Sequence, residues 1–593
     1  MTDATRILEP QRTRPEAAPA SGPVHLSWDS ELFVLRGDDR EDLRRRVKAL
    51  GDFLEHHPEV VLKDLAATLN TELPAQGSRL ALVAGTVAEL RTRLTRAGER
   101  LADPRCRQIR DAVGIYFFEQ PLHPEGRLAF LFPGEGAQYL NMLGDLSIHF
   151  AEVRNLVEDC DEAARRAGHE NHALSRAIFL PPDATPEEQA QAETELRSLG
   201  NAMLSVLMAD WALYQCLLKL GLRPDAMAGH SMGELAALWA GGALATDSVM
   251  LGELAATIES VQQQEEQGGA EAVLLAVGAG RATVAEVVGQ AASSQVYLAM
   301  DNCPHQTVVV GPPGPMARIE GEFQARKVYC ERLPFRRPYH TPLFEPLLGP
   351  VQQMFAGAVF QPPQTPVYSC TTSRPFPADP DEIRRLTVAH WASPVEFTRM
   401  IEAMYADGVR LFVEAGPRGN LTSFVEDILR GQPCAALAAN VQRRSGVTQF
   451  NHLAGQLAAH HVPLRLEYFY QRRNPQRVAW ETSPTLTMNA EPPRNPSPPV
   501  HNARGIVLAQ YLNTMEQFLD LQREVTECYL AGRRRVPAAH HPNRLSSPGI
   551  NGSDSLPPAS SSRPRAWPLM GEVFRHEAGQ ELIMRRKLDL RED

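Results

Sequence analysis

Five consecutive residues, Gly229-His230-Ser231-Met232-Gly233, fit the G-x-S-x-G pattern of an exposed nucleophilic serine. The chemistry that pattern serves is covalent catalysis. A serine hydroxyl attacks a carbonyl, and small flanking residues let the chain turn sharply enough to present it. The turn must lie between a strand and a helix. Pro224 to Ala228 supplies a short strand and Glu234 to Ala240 a helix. The N-terminus of that helix favours negative charge developing nearby.

A nucleophilic serine needs a base, and the chain offers 18 histidines. The adjacent pairs His56-His57, His460-His461 and His540-His541 lack metal-ligand spacing and read as surface or linker residues. His340, in Arg337-Pro-Tyr-His-Thr-Pro-Leu343, follows a run of predicted strands, where the chain would re-enter a cleft. Taken alone, a histidine in such a place is more often structural than catalytic. No histidine, cysteine or carboxylate spacing predicts a metal site. The turn Pro133-Gly-Glu-Gly136 carries neither G-x-x-x-x-G-K nor G-x-G-x-x-G, so phosphate binding is not expected there.

These residues must be positioned by a framework, and the framework is legible in pieces. The chain has 593 residues, enough for two to four folded units. Hydrophobic residues make up 43% and charged residues 22%, which excludes a fibrous or wholly disordered chain. The net charge of −11 argues against a nucleic-acid binder. The 8 cysteines are scattered with no C-x-x-C pair, which suits a reduced, cytoplasmic protein. Cys216, among apolar helical neighbours, reads as packing. No targeting signal opens the chain, and no run approaches the roughly 18 apolar residues a spanning helix needs, so no membrane partner is expected.

Residues 1–26 read as a flexible tail. Residues 27–110 alternate strand, helix, helix, strand and helix, a small α/β unit. The main block, 127–470, opens on Leu128-Ala-Phe-Leu-Phe132, a continuous apolar run suited to a buried parallel strand. Within it, 272–335 follows a βαββαβ order, the ferredoxin-like pattern. Such an insertion places a cleft between two rigid bodies. Residues 471–502 form a Pro-rich linker, 503–535 a helix with an apolar stripe at Leu508, Leu512, Met515 and Leu519, 536–566 a second linker, and 567–593 a strand-like end. Asp554-Ser-Leu lies in that second linker with no helical pattern around it, and Arg533-Arg-Arg535 most simply ends the preceding helix.

Taken in order, Phe132-Pro-Gly-Glu-Gly-Ala-Gln138, Gly229-His-Ser-Met-Gly-Glu234, Asn302 with Gln306 to Gly311, Tyr339-His-Thr-Pro-Leu343 and Val413-Glu-Ala-Gly-Pro417 resemble the acyltransferase domains of fatty-acid and polyketide synthases. The segment 27–105 resembles the linker domain between ketosynthase and acyltransferase. Gln510 to Leu530 resembles a post-acyltransferase helix, and 567–593 resembles the opening of a dehydratase domain. The resemblance implies an α/β-hydrolase-like parallel-sheet core with an inserted ferredoxin-like subdomain. It implies a Ser231–His340 dyad, ping-pong transfer from acyl-CoA to the phosphopantetheine thiol of an acyl carrier protein, and ketosynthase and other synthase domains as partners. No covalently bound cofactor is implied. Backbone N–H groups of Glu135 and Met232 would form the oxyanion hole, with Gln138, His230, Ala255, Asn302 and Tyr339 at the substrate. A backbone carbonyl near Glu414 to Gly416 would orient the imidazole.

Two residues depart from the family pattern. Glu135 stands where glutamine is usual. Ala255 stands at the position of the arginine that pairs with a malonyl carboxylate, and no Lys or Arg occurs between Leu244 and Gly268. A non-carboxylated acyl group is therefore expected, unless Arg336 or Arg337 reaches in. An editing acyl hydrolase on the same scaffold and a non-catalytic docking fragment are the alternatives.

Overall fold

The computed structural model describes residues 27–480, apart from 72–75, 124, 167–172, 182, 246–253, 259, 262–271, 291–294 and 335–336, together with two strands near the C-terminus. The chain divides into two units, 1–485 and 486–593.

The first unit opens on a four-stranded antiparallel sheet. Its strands are β1 (Glu31–Gly37), β2 (Ser78–Ala84), β3 (Gln108–Asp111) and β4 (Ile115–Phe118), in the order β1-β2-β4-β3. Alternation along β1 and β2 decides what each face meets. Phe33, Leu35, Leu80 and Leu82 pack on the helices Arg40–His56, Leu62–Leu69 and Val87–Ala102. Leu32, Val34, Ala81 and Val83 face the other way and join the core of the main block. Asp39 and Thr86 begin two of those helices, their side chains accepting from the N–H of Asp42 and of Glu89.

The main block is built on a six-stranded sheet ordered β12-β11-β6-β5-β13-β14. Its strands are β5 (Arg127–Phe132), β6 (Ala226–Gly229), β11 (Val367–Ser369), β12 (Arg374–Pro375), β13 (Val409–Glu414) and β14 (Ala435–Ala438). β11, β6, β5, β13 and β14 run parallel, and β12 closes one edge antiparallel. The apolar run of β5 is explained by its two covered faces. Phe130 and Phe132 enter one core, and Ala129 and Leu131 the other.

A smaller sheet follows the order β10-β7-β9-β8, all antiparallel, from β7 (Val273–Val277), β8 (Tyr297–Cys303), β9 (Gln306–Gly311) and β10 (Cys330–Arg332). The helices Arg281–Gln290 and Pro313–Ala325 fill the two crossovers, giving a βαββαβ order. The first sheet continues past residue 110 through β3 and β4, a pair too short for its periodicity to register in the sequence. In the second unit, β15 (Glu572–Glu577) and β16 (Glu581–Arg585) pair antiparallel. The segments 503–535 and 536–566 lie outside the described residues.

Candidate active site

The turn from β6 into the helix Gly233–Ala240 is tight enough that only glycine fits at either end. A Cβ on Gly229 would stand 2.0 Å from the carbonyl carbon of Gly233, and one on Gly233 would stand 2.0 Å from Phe132 O. Both neighbours are backbone and cannot move aside. Between them Ser231 takes a left-handed conformation, φ 54°. That conformation is strained for a residue with a Cβ, and it turns the hydroxyl out of the sheet.

The Ser231 Oγ lies 2.7 Å from His340 Nε2. His340 is 3% exposed and also left-handed, φ 60°. Its backbone N–H donates to Trp391 O at 2.9 Å. Its Nδ1 lies 3.0 Å from the backbone carbonyl of His390, which fixes the tautomer with Nε2 unprotonated and facing the serine. Burial, with the His390 and His230 rings near it, holds His340 well below the ordinary imidazole value. The ring is therefore neutral and ready to accept a proton.

The orienting carbonyl belongs to His390, not to Glu414–Gly416 as the sequence implied. That second turn runs behind the Pro133–Gly136 loop. A Cβ on Gly416 would meet Pro133 Cδ at 2.2 Å and Asp210 Oδ1 at 2.4 Å. Glu414 is buried there and pushed up to about 7, and Asp210 rises well above the carboxylate range, by burial first and then by Glu414. His390 escapes sequence reasoning because its carbonyl does the orienting, and a carbonyl has no side-chain signature. Its ring adds a second grip, Nε2 donating to Ser231 O at 3.0 Å.

Ser231, His340, Glu135, Met232 and Tyr339 line one cleft of about 470 Å³. The Gly134–Glu135 turn lies against the serine, a Cβ on Gly134 standing 3.2 Å from Met232 N and 3.3 Å from Ser231 Cβ. Met203, Leu235, Leu238, Phe355 and Trp391 make the cleft largely apolar, and Glu135 and Glu234 are its carboxylates. Among the described residues no lysine or arginine lines it. Arg337 is not in the lining, and Arg336 lies outside the described residues.

The other expected substrate residues stand outside that lining. Gln138 holds its own loop, Oε1 accepting from Gly136 N at 2.8 Å, while its carbonyl accepts from Arg418 Nη2 at 2.6 Å. His230 Nε2 lies 2.7 Å from Asn302 Oδ1, and Asn302 Nδ2 donates to Gln306 Oε1 at 2.9 Å. These three tie the elbow to the small sheet. Burial brings His230 down to about 4, so its Nε2 is a neutral N–H donor to that carbonyl oxygen. Ala255 is half-buried in a helical stretch, 254–258. His460, expected at the surface, is 3% exposed and stacks on Phe118 with ring centroids 3.7 Å apart. Cys216 is packed in the core as expected, at 1% exposure.

Residues 129–463 match the acyl transferase domain family. The chain belongs to that family. A second match, over residues 31–94, is to the CurL-like polyketide synthase C-terminal family. Among curated relatives, this acyl transferase chain is 27% identical over 440 residues to the spectinabilin polyketide synthase system protein NorA of Streptomyces orinoci, covering 72% of this chain and 21% of the relative. It is 28% identical over 474 residues to erythronolide synthase EryA3 of Saccharopolyspora erythraea, covering 78% of this chain and 14% of the relative. It is 27% identical over 347 residues to a polyunsaturated fatty acid synthase polypeptide of a Thraustochytrium species, covering 56% and 12%. The chain thus spans about a fifth or less of these relatives. In fold it is similar to the acyl transferase domain of ZmaA (TM-score 0.63, 20% identity, 76% of this chain and 99% of that one). It is likewise similar to that of SpnD in complex with 2-(pent-4-yn-1-yl)malonyl (TM-score 0.60, 24% identity, 74% and 97%). Among the described residues no helix is long and apolar enough to cross a membrane.

Proposed function

We propose that this acyl transferase domain carries an acyl group on Ser231 between acyl-CoA and the phosphopantetheine thiol of an acyl carrier protein. The observation that carries the reading is the 2.7 Å contact from Ser231 Oγ to His340 Nε2, with His340 Nδ1 held by His390 O. Ser231 Oγ attacks the thioester carbonyl as His340 Nε2 takes its proton. The backbone N–H groups of Glu135 and Met232 stabilise the oxyanion. The C–S bond then breaks, and the CoA sulfur leaves with the proton from His340. The carrier thiol next gives its proton to His340 and attacks the acyl-serine. Ser231 recovers that proton as the acyl group departs. Ketosynthase and other synthase domains supply the carrier and consume the product. The six-stranded sheet supports an α/β-hydrolase-like reading of the core, and the βαββαβ order supports a ferredoxin-like reading of the small sheet.

The site favours a non-carboxylated acyl group over malonyl. Among the described residues that line this cleft, no lysine or arginine stands ready to pair with a malonyl carboxylate, and an unpaired buried charge costs several kcal/mol. Incubation with butyryl-CoA and a phosphopantetheinylated carrier protein tests transfer. Butyryl-carrier should form with wild type and not with Ser231→Ala. Free butyrate with no acyl-carrier would instead identify a hydrolase. Equal labelling of Ser231→Ala would identify a non-catalytic fragment.

A further inference from the structure

The wall of the cleft behind Ser231 holds three side-chain donor atoms, on Glu234, Cys370 and His390, that acyl transfer does not use. Glu234 comes from the helix after the elbow, Cys370 from the end of β11, and His390 from the turn after the helix Pro380–Ala389. They are 2%, 0% and 5% exposed. One donor atom from each lies within 4.8 Å of the other two. His390 Nδ1 is 3.7 Å from Cys370 Sγ and 3.7 Å from Glu234 Oε1. Tetrahedral zinc, with Zn–S of about 2.3 Å and Zn–N or Zn–O of about 2.0–2.1 Å, sets neighbouring ligand atoms ~3.4–3.6 Å apart. The two distances from His390 Nδ1 are within a few tenths of an ångström of that geometry.

The remaining bonds aim the donors inward. His390 Nε2 donates to Ser231 O at 3.0 Å, which leaves Nδ1 as the lone-pair nitrogen. A ligating histidine makes this same kind of outer hydrogen bond. Glu234 Oε2 accepts from Cys370 N at 2.7 Å, which orients the carboxylate. Its Oε1 is buried with only the Cys370 thiol and, at 3.7 Å, His390 Nδ1 beside the carboxylate. A buried carboxylate oxygen left in that state is costly unless something cationic reaches it. Thr371 Oγ1, 3.1 Å from His390 Nδ1, stands beside the same point. Glu234 and His390 both line the cleft, so an ion can arrive from solvent through it.

We propose that Glu234, Cys370 and His390 bind one thiophilic divalent cation of the zinc type. A set of one thiolate, one imidazole and one carboxylate suits zinc over magnesium or calcium. On binding, the Cys370 thiol loses its proton to solvent as the Sγ–metal bond forms, and the Thr371 to His390 contact opens. The ion joins the elbow helix, β11 and the segment whose carbonyl holds His340.

The test is titration of the full chain, stripped with chelator, with Co²⁺. A thiolate-to-cobalt absorption band in the near ultraviolet should rise to about one equivalent and disappear on adding Zn²⁺. Cys370→Ser should lose the band while Ser231 is still acylated. Zn²⁺ should raise the Tm of wild type and leave that of Cys370→Ser unchanged. Absence of the band in wild type would overturn the proposal, whatever the variant does. So would a band that survives in Cys370→Ser.

Discussion

A serine hydroxyl at neutral pH is a weak nucleophile, so the work at the residue scale falls on His340. The ring must be neutral to take the Ser231 proton, and burial lowers its proton affinity. Activity is lost as pH falls through the folded-state value, because the protonated ring can no longer accept. That value lies below the ordinary figure of about 6.5, so single-turnover acylation should hold its rate at pH 6. Rate measurement across pH 4.5–8 checks this, and a half-loss at or above pH 6.5 would contradict it. His340→Ala should slow acylation by ~10²–10⁴-fold with the fold intact by circular dichroism. Ser231 and His340 were legible because side-chain chemistry and motif order marked them. His390 was not, since its carbonyl could belong to any residue type. The proposed oxyanion-hole residues Glu135 and Met232 could be named only through their place in the motifs, for the same reason.

At the scale of elements, the site depends on two joints. The first is the elbow, where Gly229 and Gly233 admit no Cβ. Gly233→Ala should destabilise the protein by about 3 kcal/mol or more, read as a fall in Tm. A Tm unchanged from wild type would mean the turn can open. The second joint is Asn302, which links His230 on the elbow to Gln306 on β9. Asn302→Ala leaves the His230 N–H without its acceptor, at about 1–3 kcal/mol by urea denaturation. It should slow acylation without altering the acyl preference, because Asn302 is not in the cleft lining. A changed preference would return Asn302 to the substrate. The strands around these joints were legible where both faces are buried, as in Leu128 to Phe132. Gln138, His230 and Asn302 carried a motif signal, and the structure gives each of them bonds that fix the loops and subdomains around the site. Ala255 was placed by counting along a helix, which gives sequence position and not the direction of a side chain.

Over the first unit as a whole, one face of the four-stranded sheet joins the apolar core of the main block, and a buried ion pair reinforces the junction. Arg473 binds Glu31 on β1 with both terminal guanidinium nitrogens, its Nη1 3.0 Å from Glu31 Oε2. The guanidinium also lies over Trp28, 4.1 Å from the ring centroid. Glu31→Ala breaks this buried ion pair, at about 3–5 kcal/mol. Its urea unfolding should begin earlier, the N-terminal sheet loosening before the six-stranded sheet. A single transition superimposable on wild type would contradict this coupling. Nothing in the sequence paired residues so far apart, because such a contact exists only once both sheets have folded.

What Ser231 accepts is the most direct test of the proposed chemistry. Intact-mass analysis of the chain after incubation with equal concentrations of acetyl-, propionyl-, butyryl- and malonyl-CoA reads this in one measurement. The predicted result is a single adduct from the non-carboxylated acyl groups, absent in Ser231→Ala and exceeding any malonyl adduct. Malonyl loading faster than acetyl loading would contradict it, because among the described residues lining the cleft there is no lysine or arginine to pair with that carboxylate.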